Sequence, residues 1–304
     1  MKKLLSLSLI PLILIGVIGC GSQSKNKTLP GEPELEGISN TDFKWPDPID
    51  YSPVDDFLND DISYKKDVLK NETFAKAPRD KIVSISAADN DIDKAIIACY
   101  RKEFKKADLI FDKLYKKYRS NPIYWNQIGN CFFLKNESKK ALLYFNKARE
   151  IKKDYIPAIN NVGVVLDNDG SKQKALKAYQ EARSKSKFSL TPLFNLAQLY
   201  TRYGLLSEGK KFFSSFVKLN PSDQHALYAL GYLNLASGNK FRAIELFNEL
   251  SGDFIKKPEV AVNYAYALCL VNKKSKARDL LDDMRSTNNN ELLDYARKIR
   301  GLTK

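Results

Sequence analysis

The chain has 304 residues, is 43% hydrophobic, and sets 50 Lys and Arg against 36 Asp and Glu for a formal net charge of +14. That is ample apolar material for a core. A lone histidine, His225, and the lack of any Cys-x-x-Cys pair leave a zinc site without its usual ligands, and beyond the first twenty residues nothing approaches the roughly 20 apolar residues of a membrane span.

Lys2 and Lys3 precede an apolar run from Leu4 to Ile18, which closes on Val17-Ile18-Gly19-Cys20. A basic start, a short apolar stretch and a small residue before a cut predict a signal peptide over residues 1–19. The last four residues resemble the bacterial lipobox. The resemblance implies that Cys20 is acylated and becomes the new N-terminus. Two or three acyl chains hold a protein stably where one is marginal. Gly21, where an Asp would retain the protein at the inner membrane, implies the outer membrane, facing the periplasm, or the cell membrane where an organism has only one.

Residues 20–61 read as an acidic, Pro-rich disordered tether. Pro30, Pro33, Pro46, Pro48 and Pro53 accompany ten acids against three lysines, a net of −7. Such a segment buries too little apolar surface to offset its chain entropy. Phe43, Trp45, Tyr51 and Phe57 interrupt it, either as docking residues or as plain linker aromatics. With Lys2 and Lys3 set aside, residues 62–304 carry +19. A basic body attracts acidic protein, anionic lipid, nucleic acid or its own acidic tether, or simply keeps the chain soluble. No recognition motif accompanies the charge, so nucleic acid is not an expected partner. Residues 62–87 read as a leader packing on the start of the body, with an amphipathic stretch from Ile62 to Ala75 and a short alternation at 82–86.

From residue 88 the chain repeats. Ala107, Ala141, Ala175, Gly209, Ala243 and Ala277 stand 34 residues apart, each followed four residues later by Phe111, Phe145, Tyr179, Phe213, Phe247 or Leu281. A second small series, Ala95, Gly129, Gly163, Ala197, Gly231 and Ala265, precedes it. In the unit 122–155, Trp125, Ile128, Gly129 and Phe132 mark one helical face, and Ala141, Phe145 and Ala148 another. The repeats are 88–121, 122–155, 156–189, 190–223, 224–257 and 258–291, each a helical hairpin, with 290–304 as a capping helix. Small residues allow close helix crossing, and large ones fill the grooves beside them. Asp91 and Lys94, and Asn234, break the apolar pattern. Asp167 and Asp169 are expected to be solvated at a turn.

Cys99, Cys131 and Cys269 fall on predicted helices. Their odd number leaves at least one unpaired. They read as small buried apolar residues, with a Cys99–Cys131 bridge as an alternative that no familiar spacing supports.

The pattern resembles the tetratricopeptide-repeat family, the lipobox marking a bacterial lipoprotein of that kind. The resemblance implies an all-α, right-handed superhelical solenoid whose first helices line a concave groove. The residues two before the first-helix small series, Gln127, Asn161, Asn195, Ala229 and Asn263, are expected to face it. Such amide ladders resemble the groove of the O-linked N-acetylglucosamine transferase array. Asn is a poor helix former whose amide both donates and accepts, so its repetition suits pairing with a peptide backbone. Asn126, Asn130, Asn160 and Gln198 add amides, and Phe194, Tyr228, Tyr232 and Tyr266 supply apolar anchors. Only Arg202 is basic there, which excludes a carboxylate clamp. No phosphate loop, nucleophile elbow or histidine base is present. The sequence predicts no catalytic residue, no cofactor and no metal. The expected function is an envelope scaffold that binds peptide segments of other envelope proteins during assembly of pilus or secretion machinery. The alternative is a regulatory or structural partner of cell-wall enzymes, acting through the basic surface.

Overall fold

The computed structural model describes residues 91–186 and 188–303. The signal peptide, Cys20, the tether and the leader lie outside them. Within them run α1 (Asp91–Tyr100), α2 (Phe104–Tyr118), α3 (Pro122–Leu134), α4 (Ser138–Ile151), α5 (Ile156–Asn168), α6 (Lys172–Lys185) and α7 (Leu190–Arg202). There follow α8 (Leu206–Leu219), α9 (Gln224–Ala236), α10 (Lys240–Asn248), α11 (Gly252–Ile255), α12 (Pro258–Cys269), α13 (Lys274–Asp282) and α14 (Asn290–Leu302). The described residues are entirely helix and connecting turn.

Helix ends follow local chemistry. Asn121 caps α3 by accepting from the Ile123 amide, with Pro122 in the first turn, where a missing N–H costs nothing. Asp223 caps α9 and Asn289 caps α14 in the same way. A second signal recurs at the hairpin turns. Lys102, Asn136, Gly170, Gly204, Gly238 and Asn272 all have φ between 59° and 79°. They stand 34 residues apart. The residue after each closes the first helix: Glu137 N donates to Phe132 O, Ser171 N to Leu166 O, and Asn239 N to Asn234 O. This is a left-handed helix stop, for which Gly and then Asn are the least strained choices.

The described residues divide into two compact units, one ending at Tyr200 and the other beginning at Thr201. In the N-terminal unit α1 packs on α2, α3 on α4, and α5 on α6; α1 also meets α3, and α4 meets α5. In the C-terminal unit α8 packs on α9, α9 on α10, and α12 on α13, while α14 lies on α12 and α13. The second helix of the fifth repeat is short. It stops at Asn248, and Ser251 caps the single turn α11 by accepting from Phe254 N.

The small series sits where first and second helices meet. A Cβ added to Gly163 would lie 2.6 Å from the Tyr179 ring, and one on Gly129 2.5 Å from Phe145. Ala107, Ala141, Ala175, Ala243 and Ala277 are fully buried. Asn234, the break in the apolar pattern, is buried and turns its amide onto the Leu230 carbonyl at 2.8 Å. At the other break, Asp91 and Lys94 form an exposed ion pair at 3.1 Å.

Cys99 and Cys131 are joined in a disulfide, with Cα atoms 5.4 Å apart and a sequence separation of 32. This corrects the reading of both as unpaired apolar residues. The bridge staples α1 to α3, first helices of successive repeats. Neighbouring first helices meet at separations near the period rather than at 34 itself, so no single spacing announces the pair. Cys269 is buried and free, and burial pushes its thiol pKa up.

Stability should respond in two places. Gly163→Ala forces a methyl into the Tyr179 ring and should cost about 1–3 kcal/mol, read as a lower urea midpoint. Reduction of the disulfide, or the pair Cys99→Ala and Cys131→Ala, should cost about 3–4 kcal/mol on the loop-closure estimate. Hydrogen exchange should place that loss in α1–α4, because contacts in a repeat array are local.

Candidate functional site

Each first helix turns one arc toward second helices. On α5, Gly163 faces Tyr179, and Val162 clusters with Phe145 and Ala141. Another arc carries Asn160, Val164 and Asp167, which recur at i, i+4 and i+7 and so share a face. Asn161 lies between those arcs, toward the preceding repeat.

The amides are joined across repeats. Asn161 Nδ2 donates to Asn126 Oδ1 at 3.0 Å and to Asn130 Oδ1 at 3.1 Å. Asn195 Nδ2 donates to Asn160 Oδ1 at 2.9 Å. Asn160 Nδ2 reaches Asn161 Oδ1 at 3.2 Å, and Asn130 Nδ2 reaches Gln127 Oε1 at 3.0 Å. Gln127, Asn126, Asn130, Asn160, Asn161 and Asn195 are all buried, so the chain of amides ties α3, α5 and α7 together. The C-terminal unit repeats the motif in another chemistry. Asn263 Nδ2 donates to Tyr228 Oη at 2.6 Å, and that hydroxyl donates to Glu259 O at 3.1 Å. Burial pushes the Tyr228 phenol well above its usual range.

These bonds give the asparagine ladder a job that the sequence did not announce. Asn161, Asn195 and Asn263 each bond a residue 35 positions earlier, one repeat plus one. They are inter-repeat ties within each unit. Phe194 and Gln198 lie buried on α7, as do Tyr232 on α9 and Tyr266 on α12. Burial raises both phenols. Arg202 is half-buried. The expected set therefore falls into two groups: the amides with Phe194 in the N-terminal unit, and Arg202, Tyr228, Tyr232, Asn263 and Tyr266 in the C-terminal one.

Asp167 departs from expectation. It belongs to the last turn of α5 and is only 7% exposed, whereas Asp169 is exposed. Its place seven residues after Asn160 was the available signal. Thr191, fully buried on α7, also escaped notice.

Charge is sorted between helices. α2 sets Lys105, Lys106, Lys113, Lys116 and Lys117 against Asp108 and Asp112. On α4, Lys139, Lys140, Lys147 and Arg149 face only Glu150, and on α6, Lys172, Lys174, Lys177, Arg183 and Lys185 face only Glu181. By contrast α3 has no charged residue, and α5 has only Asp167. Among the described residues no group of His, Cys, Asp or Glu could hold a metal ion, and no helix is long and apolar enough to cross a membrane.

PilF of Pseudomonas aeruginosa matches this architecture with a TM-score of 0.62 at 14% identity, over 72% of this chain and 99% of that one. PilW, described as a widely conserved type IV pilus biogenesis factor, matches with a TM-score of 0.56 at 13% identity, over 67% and 96%. Both are tetratricopeptide-repeat proteins. The chain has the tetratricopeptide-repeat fold. A curated relative, the human cell division cycle protein 16 homolog, is 28% identical over 144 residues, 45% of this chain. The chain spans only 23% of that relative's length. No family model matches the chain.

The tetratricopeptide-repeat ties make Asn161 a structural residue. Asn161→Leu strips two acceptors of their donor and leaves buried amides unsatisfied, which should cost about 1–3 kcal/mol. Urea unfolding measures the loss, and hydrogen exchange should show it between α3 and α5.

Proposed function

We propose that the chain is a lipid-anchored scaffold of the cell envelope that holds extended peptide segments of partner proteins against the inner face of its first helices. The carrying observation is the run of amide side chains, with Phe194, on α3, α5 and α7 of the N-terminal unit, helices that are almost free of charge. An Asn or Gln side chain both donates and accepts, the chemistry a peptide backbone presents. An extended peptide has unpaired backbone groups at every residue, so an amide-rich face suits it. The aromatics supply the apolar anchors that dominate such interfaces.

Three observations support an envelope setting. Residues 1–20 have the form of a lipoprotein leader. The Cys99–Cys131 disulfide suits an oxidising compartment. PilF and PilW, proteins of the same fold, include a pilus biogenesis factor by its own description. On this reading the protein lies at the outer membrane, or at the cell membrane of a single-membrane organism. It performs no catalysis and serves assembly of pilus or secretion machinery. The second reading, a partner of cell-wall enzymes, rests on the sorting of lysines onto α2, α4 and α6.

Cys20→Ser should release the protein from the membrane fraction, and intact mass should show loss of the acyl groups. Partners recovered by crosslinking should be lost with Phe194→Ala plus Gln198→Ala, at unchanged salt dependence, in protein whose circular dichroism shows it still folded. Loss only on reversal of Lys139, Lys147 and Lys177 to Glu would favour the second reading. Recovery unaffected by either set would overturn both.

A further inference from the structure

The second helices of the N-terminal unit bury one narrow stripe each. On α2 it is Ala107, Phe111 and Leu114, and on α4 it is Ala141, Phe145 and Ala148. Two residues beyond each alanine the helix has turned by about 200°, so Leu109 and Leu143 stand on the opposite, outer arc. They are 62% and 64% exposed. Packing does not ask for an apolar residue at this register. The later repeats place Lys177, Lys211, Glu245 and Asp279 there, all of them exposed.

Each leucine is set between lysines one helical turn away on either side. Lys105, Leu109 and Lys113 follow one another at i, i+4 and i+8 on α2, and Lys139, Leu143 and Lys147 repeat them on α4, 34 residues later. All four lysines are exposed. Lys116 adds a fifth to this arc, against the acids Asp112 and Glu150. The ion pair of Lys147 with Glu150, at 2.8 Å, is itself exposed and holds its lysine weakly. In the third repeat the triad becomes Gln173, Lys177 and Glu181, so the pattern stops after α4. The helices α2 and α4 are joined through α3. The Trp125 ring lies 6.1 Å from Tyr115 on α2 and 5.9 Å from Tyr144 on α4, and Lys135, just past α3, donates to Asp108 on α2 at 2.8 Å. The two triads therefore share one surface.

We propose that this surface rests on an anionic phospholipid layer, with Leu109 and Leu143 entering the headgroup region and the lysines meeting phosphates around them. The proposal goes beyond the peptide site and rests on the reading of the chain as a membrane-attached protein. Apolar residues ringed by lysines on a helix have the composition of an interfacial contact. A lysine stem lies along apolar surface while its ammonium group stays with the phosphates. Two leucines are too few to centre a protein interface, which covers about 800 Å² on each side around a well-packed core. A lipid surface needs no such closed fit. Each lysine beside an anionic membrane strengthens binding about five-fold, and an acyl anchor raises the effective concentration at which so small a patch works. The contact sets how the N-terminal unit stands on the membrane.

The test takes the acylated chain with benzoylphenylalanine in place of Leu143, reconstituted in vesicles of phosphatidylglycerol and phosphatidylethanolamine. Irradiation should crosslink it to lipid, at a yield at least ten-fold above that in phosphatidylcholine alone. A second measurement uses the mature chain, residues 20–304, with Cys20→Ser, sedimented with the same anionic vesicles. Leu109→Gln with Leu143→Gln should lower its partition at least ten-fold, and so should Lys105, Lys113, Lys139 and Lys147 changed to Gln, in protein that circular dichroism shows to be folded. No crosslink to lipid, a crosslink to protein in its place, equal yield in phosphatidylcholine, or partition unchanged by either set overturns the proposal. An acylated chain that gives no lipid crosslink sinks the patch and leaves the anchor standing. Partition that depends on both sets, in a chain whose Cys20 proves to carry no acyl group, sinks the anchor and leaves the patch standing.

Discussion

The structure depends on one close approach, repeated: a first helix crossing its second helix over a residue with little or no side chain. Gly163 against Tyr179 shows why. The ring occupies the space a Cβ would take, so helix spacing, ring position and residue choice are one constraint. It recurs at Gly129 with Phe145 and at Gly231 with Phe247. Small residues on the second helices, such as Ala141 and Ala175, are buried in the same way. A period in the sequence is therefore a period in packing distance.

That constraint fixes what each helix has left to offer. Second helices bury a narrow stripe, as α4 does with Ala141, Phe145 and Ala148, and their remaining surface carries the lysines. First helices are hemmed in by hairpin partner and neighbours, so polar residues on them must be satisfied inside the protein. The asparagines meet that demand through one another. Buried amide networks of this kind specify register as well as adding stability, since a slipped repeat would strand several amides at once. The disulfide between α1 and α3 adds a covalent tie at the first junction.

The functional reading inherits this division. First helices carry amides and rings with hardly any charge, while the second helices α4 and α6 carry the charge. A peptide held by backbone pairing and apolar contacts suits the first. Long-range attraction of an acidic partner or surface suits the second. One molecule can use both, because steering acts over a Debye length and anchoring only at contact.

Much of the fold was legible in the sequence because each repeat states the same rule six times. The small series, the large residues four positions on and the C-terminal helix are all local or periodic properties. The left-handed stops at 102, 136, 170, 204, 238 and 272 were equally periodic, yet Lys102 hides the series because residue type there is a preference and φ is the requirement. The candidate site was legible only as composition. That asparagines recur was plain, but which atoms they bond depends on how neighbouring first helices are offset. The same offset joins Cys99 to Cys131 across 32 residues and sets each amide tie at 35. Asp167 reads as a turn residue until α5 is seen to continue through it. The repeat, its helices and the chemistry of each face are written in the order of residues. Which of those groups meet was settled only on folding, because contact between repeats is set by helix offset and not by spacing along the chain.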